Sequence, residues 1–415
     1  MKIRGYINVN TVIRFIPGRG KMEVLIKGVR IVDETKDFMG DLYIKDGKIE
    51  DFGKDLNFDC EIIDAKGLTL MPSFIDLHAH FRDPGYTYKE DLYTGSLAAL
   101  RGGYTLVNLM ANTKPVCSSM DIVDYVLKRG KELDLVDLHQ VVSITKDFDG
   151  HTLSHLDSLD ERVKFISDDG KGIKSNIVMY KAMLKALEKG LTIMVHGEDE
   201  DLTPIDYRIS ENIITLRDIY LSKETGARLH LCHVSTKEAI EEVRRGKAQG
   251  ANISCEVTPH HIALWDNDYK VNPPIRSKED VDALIEGIID GTVDAIATDH
   301  APHTEEDKLR GAPGLSGLET AFSVSYTTLV RTGRIDLSKL SKLMSGNPGR
   351  IMDVKKGKIE RGYDGDVVLI DLEKEIVVDR GKFLSKGRNT PFNGMKFYGE
   401  VKMTIKNGVI KYSAP

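Results

Sequence analysis

The feature that most constrains this chain is the alternation, from Pro72 to about Met344, of short apolar runs with amphipathic stretches. Eight runs have strand length: FIDLHAHF, TLVNLMA, LHQVVSI, VKFISDD, LTIMVHGED, RLHLCHVS, NISCEVTPH and AIATDHAPH. Each is followed or flanked by a helical pattern such as EDLYTGSLAALRGG, SNIVMYKAMLKALEKG or EDVDALIEGIID, with glycine near several helix ends. Strands alternating with helices make βαβ units and a parallel sheet, and eight of them fit an α/β fold of the (β/α)8 TIM-barrel kind. A doubly wound open sheet is the rival, but it carries a G-x-G-x-x-G turn after its first strand, and none follows FIDLHAHF.

Both ends of the chain read differently. Glu23 to about Leu70 holds short alternating strands broken by Asp-Gly and Lys-Gly, and the segments after Gly365 and Gly399 repeat that strand, turn, strand pattern. The two ends are expected to pair into one small β-sandwich. The domain plan is therefore 1–21 as an N-terminal extension of unassigned role, 22–70 as the first part of the sandwich, 71–345 as the barrel and 346–415 as the second part of the sandwich.

Composition narrows the partners. The net charge of -6 is spread over interspersed acids and bases, so no basic face points to nucleic acid or to an acidic membrane, and a small molecule is the expected partner. Cys60, Cys117, Cys232 and Cys255 lie far apart without C-x-x-C spacing, which argues against a disulfide framework and against a thiolate zinc site. No run approaches the roughly 18 to 20 apolar residues of a membrane span, and no signal-peptide pattern opens the sequence. A reducing, cytoplasmic setting is expected.

In a parallel barrel the reactive groups gather at the C-terminal ends of the strands. His78 and His80 end the first run, Asp168 and Asp169 the fourth, His196 the fifth, His233 the sixth and Asp299 the eighth. His78 and His80 are two apart, so on a strand they share a face, with Arg82 next on that face if the strand runs so far. The same parity turns His230 away from His233 and His300 away from Asp299, which makes His230 and His300 structural. His260 and His261 either touch substrate or shape the loop, while His139, His151 and His155 read as solvated or packing residues. Four imidazoles and two carboxylates exceed the needs of one tetrahedral zinc and suit a metal pair with a bridging carboxylate. Nitrogen and oxygen ligands fit zinc, with manganese or cobalt as substitutes. Metal-bound water has its pKa lowered to about 7, so the reaction class is metal-assisted hydrolysis.

The segments PSFIDLHAHFRDPG, NLMANTKP, ISDDG, VHGED, CHVST, VNPPIRS and ATDHAPH follow one another in this order and cover the barrel. As a set they resemble the type I dihydroorotases of the amidohydrolase superfamily. The resemblance implies reversible cyclisation of N-carbamoyl-L-aspartate to dihydroorotate, the third step of pyrimidine synthesis, with two zinc ions per subunit. His78 and His80 would hold the more buried ion, His196 and His233 the more exposed one, and Asp299 would ligate metal and act as general base and acid. Many relatives bridge the ions with a carboxylated lysine. Here Ser-Asp-Asp-Gly occupies that position, and its spacing to VHGED points to Asp169 rather than Asp168 as the bridge. For substrate, Arg82 would match the carboxylate by two parallel hydrogen bonds. The family pattern adds Asn112 and His303 as carboxylate partners and Asn272 as a ring contact, with Gly311 to Glu319 offering backbone groups near the ring. The partner set implied is the small-molecule substrate, with aspartate transcarbamoylase or a homo-oligomer beside it. Two rivals remain: an allantoinase or hydantoinase/dihydropyrimidinase, against which Arg82 argues, and an inactive scaffold subunit, against which the full ligand set argues.

Overall fold

The computed structural model describes residues 6–7 and 23–415; apart from that pair, the expected extension 1–21 lies outside the described residues. The eight apolar runs form the strands Phe74–Ala79, Tyr104–Leu109, Asp137–Gln140, Phe165–Ile166, Thr192–Val195, Arg228–Leu231, Ile253–Val257 and Ala295–Ile296. They pair in parallel and in sequence order, the first three as one arc and the last five as another. Parallel bridges Val142–Ile166 and Ala79–His300 join the arcs, and the Ser167 amide donates to the Val142 carbonyl at 2.9 Å while that of His80 donates to the His300 carbonyl at 2.8 Å. The ring is a closed (β/α)8 barrel. Its final closure brings the histidine pair of the first strand beside Asp299 of the eighth.

Strand alternation builds two cores. Ile75, Leu77, Leu106, Val141, Phe165, Met194 and Ala295 fill the barrel interior, while Phe74, Val107, Ile193, Leu229 and Leu231 face the surrounding helices. Each fully buried aliphatic side chain contributes about 1.5–3 kcal/mol. The helices start and stop on local chemistry. Asp91 and Thr94 make a capping box at Leu92–Arg101, as do Ser277 and Asp280 at Lys278–Asp290, and Gly190, Gly226 and Gly291 close helices in the left-handed region. The third unit departs from the pattern. After Asp137–Gln140 the chain makes only short 3-10 turns at Lys146–Phe148 and Ser154–Ser158, because KDFDGHTLSHLDS is dense in Asp, Ser and Gly, whose local hydrogen bonds compete with a helix.

The chain ends meet as expected. Val24–Val32, Asp37–Lys45, Lys48–Gly53, Glu61–Asp64 and Thr69–Pro72 share one sheet with Val367–Val377, Lys396–Lys406 and Val409–Ser413. The seam is antiparallel, Val367 opposite Pro72 through Ile370 opposite Thr69. Val24–Val32 bends at Gly28, whose φ of 68° suits glycine, so its first half pairs with Glu61–Asp64 and its second half with Thr69–Pro72. The bend folds the sheet over its own core of Ile26, Ile31, Leu42, Ile44, Val367 and Ile405, the sandwich. Between barrel and sandwich, Ile351, Met352 and Val354 pack under the barrel floor, so the 345/346 boundary falls within this covering segment.

A buried ion cluster joins the two parts. Lys356 Nζ lies 2.5 Å from Asp366 and 2.9 Å from both Asp137 and Asp364, and Lys406 Nζ lies 2.7 Å from Asp137. Asp137 opens the third barrel strand, so this cluster sits at the base, opposite the mouth.

Candidate active site at the barrel mouth

The six expected metal ligands converge at the mouth. His78 is on its strand; His80, Asp169, His196, His233 and Asp299 lie within three residues past strand ends. The first strand ends at Ala79, so alternation does not place Arg82. A turn does, with Arg82 at φ 59°, while His233 and Asp299 take φ 34° and 45°. Such conformations cost a non-glycine residue about 1–3 kcal/mol and persist where the surroundings overdetermine them.

Hydrogen bonds fix the tautomers. His78 Nδ1 lies 2.9 Å from Glu256 Oε1, His196 Nε2 lies 2.7 Å from Glu198 Oε2, and His80 Nδ1 lies 2.7 Å from Asn112 Oδ1. Those oxygens only accept, so each of these nitrogens donates and the other ring nitrogen of each histidine turns a lone pair inward. Asp169 sits among them. Its Oδ1 is 3.3 Å from His78 Nε2, 3.6 Å from His196 Nδ1 and 3.7 Å from His233 Nε2, and its Oδ2 is 3.5 Å from His80 Nε2. Asp299 Oδ1 lies 3.1 Å from His80 Nε2 and 3.7 Å from His78 Nε2.

This donor set fits divalent cations. His78 Nε2 and Asp169 Oδ1 are buried without a hydrogen-bond partner, and His196 Nδ1 faces His233 Nε2 at 3.0 Å. Lone pairs of imidazole and carboxylate, buried and turned toward one another, repel unless a cation or a proton lies between them. Two overlapping triads have mutually close ligand atoms: His78, Asp169 and His233, and His78, His80 and Asp299. Burial would raise the Asp169 carboxyl, but the imidazoles of His78, His196 and His233 outweigh it and hold the group well below 3.8. Cys232 also lies near His78 and Glu256, but burial pushes its thiol up to about 12, so it stays protonated at neutral pH.

The adjacent aspartate has other work. Asp168 accepts from the Ile144 amide at 2.6 Å, the Thr145 amide at 3.1 Å and the Thr145 hydroxyl; it braces the loop after the third strand, and burial pushes its carboxyl up to about 6.

Beside the histidines lies a basic corner. Arg82 Nη2 is 3.4 Å from His303 Nε2, whose Nδ1 is 3.3 Å from Lys89 Nζ. Arg82 Nε is shut off from solvent without a partner, and among the described residues no carboxylate forms an ion pair with Arg82. Burial, then repulsion from Arg82 and Lys89, pulls His303 down to about 3. On the opposite side, Asn272 Nδ2 donates to Glu198 Oε2 at 3.0 Å and lies 3.3 Å from His196 Nε2, and Tyr207 donates to Asn272 Oδ1. Asn112, expected at the carboxylate, is committed through Oδ1 to His80, with its Nδ2 3.5 Å from Asp169 Oδ2. A cleft of about 610 Å³ opens beside Glu198, Tyr207 and Asn272.

The Gly311 to Glu319 loop is held from below. Gly314 has φ 128°, and a Cβ there would meet the Ala301 carbonyl oxygen at 2.6 Å. Asn389 donates to the Gly314 carbonyl at 2.9 Å and accepts from the His303 amide at 3.0 Å. Lys308 donates to the carbonyls of Lys270, Ala312 and Gly314, each at 2.9 Å, tying the loops after the seventh and eighth strands together.

The remaining histidines have local partners, with one exception. His230 bonds Ser254 and Glu256, so it shares a carboxylate with His78. His300 faces Glu90 at 3.4 Å and accepts from the Gly317 amide at 3.2 Å. His261 bonds Thr258 and the Pro273 carbonyl, shaping the loop, whereas His260 Nε2 is buried without a partner. His139 bonds Asn108, His155 bonds the Ser143 carbonyl, and His151 is exposed.

Sequence reasoning missed Glu198, Glu256, Lys89 and Tyr207. Glu198 stands two residues after His196, and Glu256 is an acid inside an apolar strand, so both left a signal. Lys89 and Tyr207 left none.

The amidohydrolase family profile matches residues 69–411. A dihydroorotase of Clostridium botulinum (strain Eklund 17B / Type B) is 55% identical over 396 residues, covering 94% of this chain and 100% of that protein. One of Fusobacterium nucleatum is 40% identical over 417 residues, covering 94% and 98%. Among solved structures, the L-hydantoinase (dihydropyrimidinase) from Arthrobacter aurescens superposes with a TM-score of 0.85 at 25% identity, covering 94% of this chain and 96% of that one. The dihydropyrimidinase from Brevibacillus agri does so at 0.84 and 22%, covering 94% and 95%, a likeness of fold.

Proposed function

The chain belongs to the amidohydrolase family, as one of its dihydroorotases, and from that premise we propose how its mouth performs the reaction, the reversible closure of N-carbamoyl-L-aspartate to (S)-dihydroorotate with loss of water. His78, His80, Asp169, His196, His233 and Asp299 would hold the divalent ions, which we take to be two zinc ions, with Asp169 central among the imidazoles. Bound there, the ions supply Lewis-acid polarisation of the reacting carbonyl and lower the pKa of water. Arg82 and His303 clamp the substrate carboxylate, with Lys89 adding positive potential and the Asn112 amide within the same corner. Asn272, held by Tyr207 and Glu198, contacts the ring from the other side. In the hydrolytic direction Asp299 takes a proton from the attacking water and delivers it to the departing ring nitrogen; in synthesis it takes the proton from that nitrogen. The enzyme works in the cytoplasm, and its substrate is a small molecule.

The observation that carries this reading is Arg82. A guanidinium drawn into the mouth without a carboxylate partner is costly unless a ligand supplies one, and dihydroorotate does. Allantoin and hydantoin do not. Purified protein loaded with zinc should turn over dihydroorotate well ahead of allantoin or hydantoin, and should carry close to two zinc ions per chain by elemental analysis. Turnover of only the latter two substrates would sink the proposal.

A further inference from the structure

His303 stands between two cations. Arg82 Nη2 is 3.4 Å from its Nε2, and Lys89 Nζ is 3.3 Å from its Nδ1. Guanidinium and ammonium groups only donate. Burial and the charges of Arg82 and Lys89 keep the ring neutral, and a neutral imidazole has a single lone pair to offer. It can therefore accept from one cation alone, and its own N–H must face the other.

Lys89 is the side that the fold holds in place. Two successive turns carry the chain to it from Arg82: the Tyr86 amide donates to the Arg82 carbonyl and the Lys89 amide to the Tyr86 carbonyl, each at 2.8 Å. The ammonium lies 5.7 and 5.6 Å from the ring centres of Tyr86 and Tyr88 and 3.4 Å from Asp307 Oδ2, and that oxygen also accepts from the Thr304 amide at 3.3 Å. Asp307 itself is 3.9 Å from His303 Nδ1, beyond hydrogen-bond reach, so Lys89 is the partner of that nitrogen. On the other side Arg82 still has an unused donor, the buried Nε. With Nδ1 accepting from Lys89, the ring proton sits on Nε2. His303 and Arg82 then turn two donors toward one place, and an anionic oxygen is the group that satisfies both.

We propose that Lys89 is a positioning residue that holds His303 in the Nε2–H tautomer, so that His303 and Arg82 donate together to the substrate carboxylate. The inference rests on the reading of this corner as the carboxylate site. Without Lys89, Nδ1 loses its donor and the ring is released to the other tautomer. Nε2 would then accept from Arg82 and present a lone pair where the carboxylate oxygen has to lie, which repels the substrate and occupies the arginine.

Heteronuclear NMR of the purified full chain, isotope-labelled at its histidine side-chain nitrogens and free of substrate, reports the tautomer, with the His303 signals assigned by their loss in His303→Ala. Wild type should show a protonated Nε2 and a bare Nδ1. Lys89→Met should move the proton toward Nδ1 and raise KM for dihydroorotate about 10-fold with little change in kcat, whereas Lys89→Arg should keep both the tautomer and most of the affinity. Because Lys89 acts through His303, adding Lys89→Met to His303→Ala should raise KM no further. A protonated Nδ1 in wild type overturns the proposal. So does an unchanged tautomer in folded Lys89→Met, or a double variant in which the two losses add. If Lys89→Met does not fold, the wild-type spectrum decides. The tautomer is read without substrate, so a wild-type chain that ignores dihydroorotate would sink the reading of the corner and leave the spectrum to judge Lys89.

Discussion

The base and the mouth of the barrel both bury clusters of charge, and they handle it in opposite ways. At the base, Lys356 has three carboxylates within 2.9 Å, and Asp364 also pairs with Lys48, Asp137 with Lys406. Opposite charges meet within the protein, and the set is closed. At the mouth, His78 Nε2, Asp169 Oδ1 and Arg82 Nε have no partner, and His233, Asp299 and Arg82 sit at positive φ. There the protein leaves desolvation uncompensated, which is tolerable only if ions and a carboxylate complete the set. The base is complete without a ligand; the mouth, in the function proposed for it, is completed by its ligands.

The largest separation of the two regions is expected from Asp299→Asn. With Asp299 in the proton-carrying role proposed for it, its loss should lower kcat about 10²- to 10⁴-fold, while dihydroorotate still binds and the metal-free protein unfolds at no lower urea concentration than wild type. Calorimetric titration and equilibrium unfolding check both halves. A stability loss matching that of a base variant would mean that the mouth is part of the structural framework after all.

Lys356→Met should do the reverse. Removing the one cation shared by Asp137, Asp364 and Asp366 strands the buried Asp366 carboxylate, while the partly exposed Asp137 and Asp364 keep Lys406 and Lys48, at a cost of about 3–5 kcal/mol, with kcat/KM unchanged in the protein that remains folded. Urea midpoints give the first quantity and steady-state kinetics the second. Altered kinetics would show that the base communicates with the mouth.

A smaller effect follows for Arg82→Ala. A charge-assisted hydrogen-bonded pair contributes about 1.5–3 kcal/mol, so KM for dihydroorotate should rise about 10- to 100-fold, with zinc content intact because Arg82 holds none of the ligand atoms. Loss of metal in this variant would break the division between the ion cluster and the carboxylate corner.

The two regions also differ in how far the letters alone reach. The barrel was legible because alternation and helix period are local: all eight runs became strands. The convergence of the six candidate ligands was legible because strand ends share one mouth whatever the loops do. Parity beyond a strand end was not a safe guide, since Arg82 lies past Ala79 in a left-handed turn that local alternation does not describe. Glu256 escaped because what it does depends on which imidazoles lie across from it, a matter of register between strands, whereas the Glu198 contact is local, to His196 two residues before it, and turns on how the loop folds back past the strand end. The base cluster escaped entirely. Asp137 lies far along the chain from Lys356 and Asp366, no motif links them, and only the seam between barrel and sandwich joins them.

The pH dependence of the base gives the finest test. Burial would raise the carboxyls of Asp137 and Asp364, but Lys356, with Lys406 beside the first and Lys48 beside the second, holds both below 3.8. That stabilisation is present above pH 3.8 and lost as pH falls through the depressed values. Burial would lower Lys356, yet Asp366, Asp137 and Asp364 raise it above 10.5, so its contribution is complete below pH 10.5 and lost only as pH rises through the elevated value. Between these limits none of these three groups changes charge. The stability difference between wild type and Lys356→Met should therefore be flat from about pH 5 to about pH 9 and shrink at either extreme. Groups that titrate elsewhere are common to both proteins, so the curvature they give either one cancels in the difference. Urea unfolding of the pair in matched buffers measures it, and a slope between pH 5 and pH 9 would mean that the base exchanges protons with the mouth or with a group outside the cluster, and is not closed.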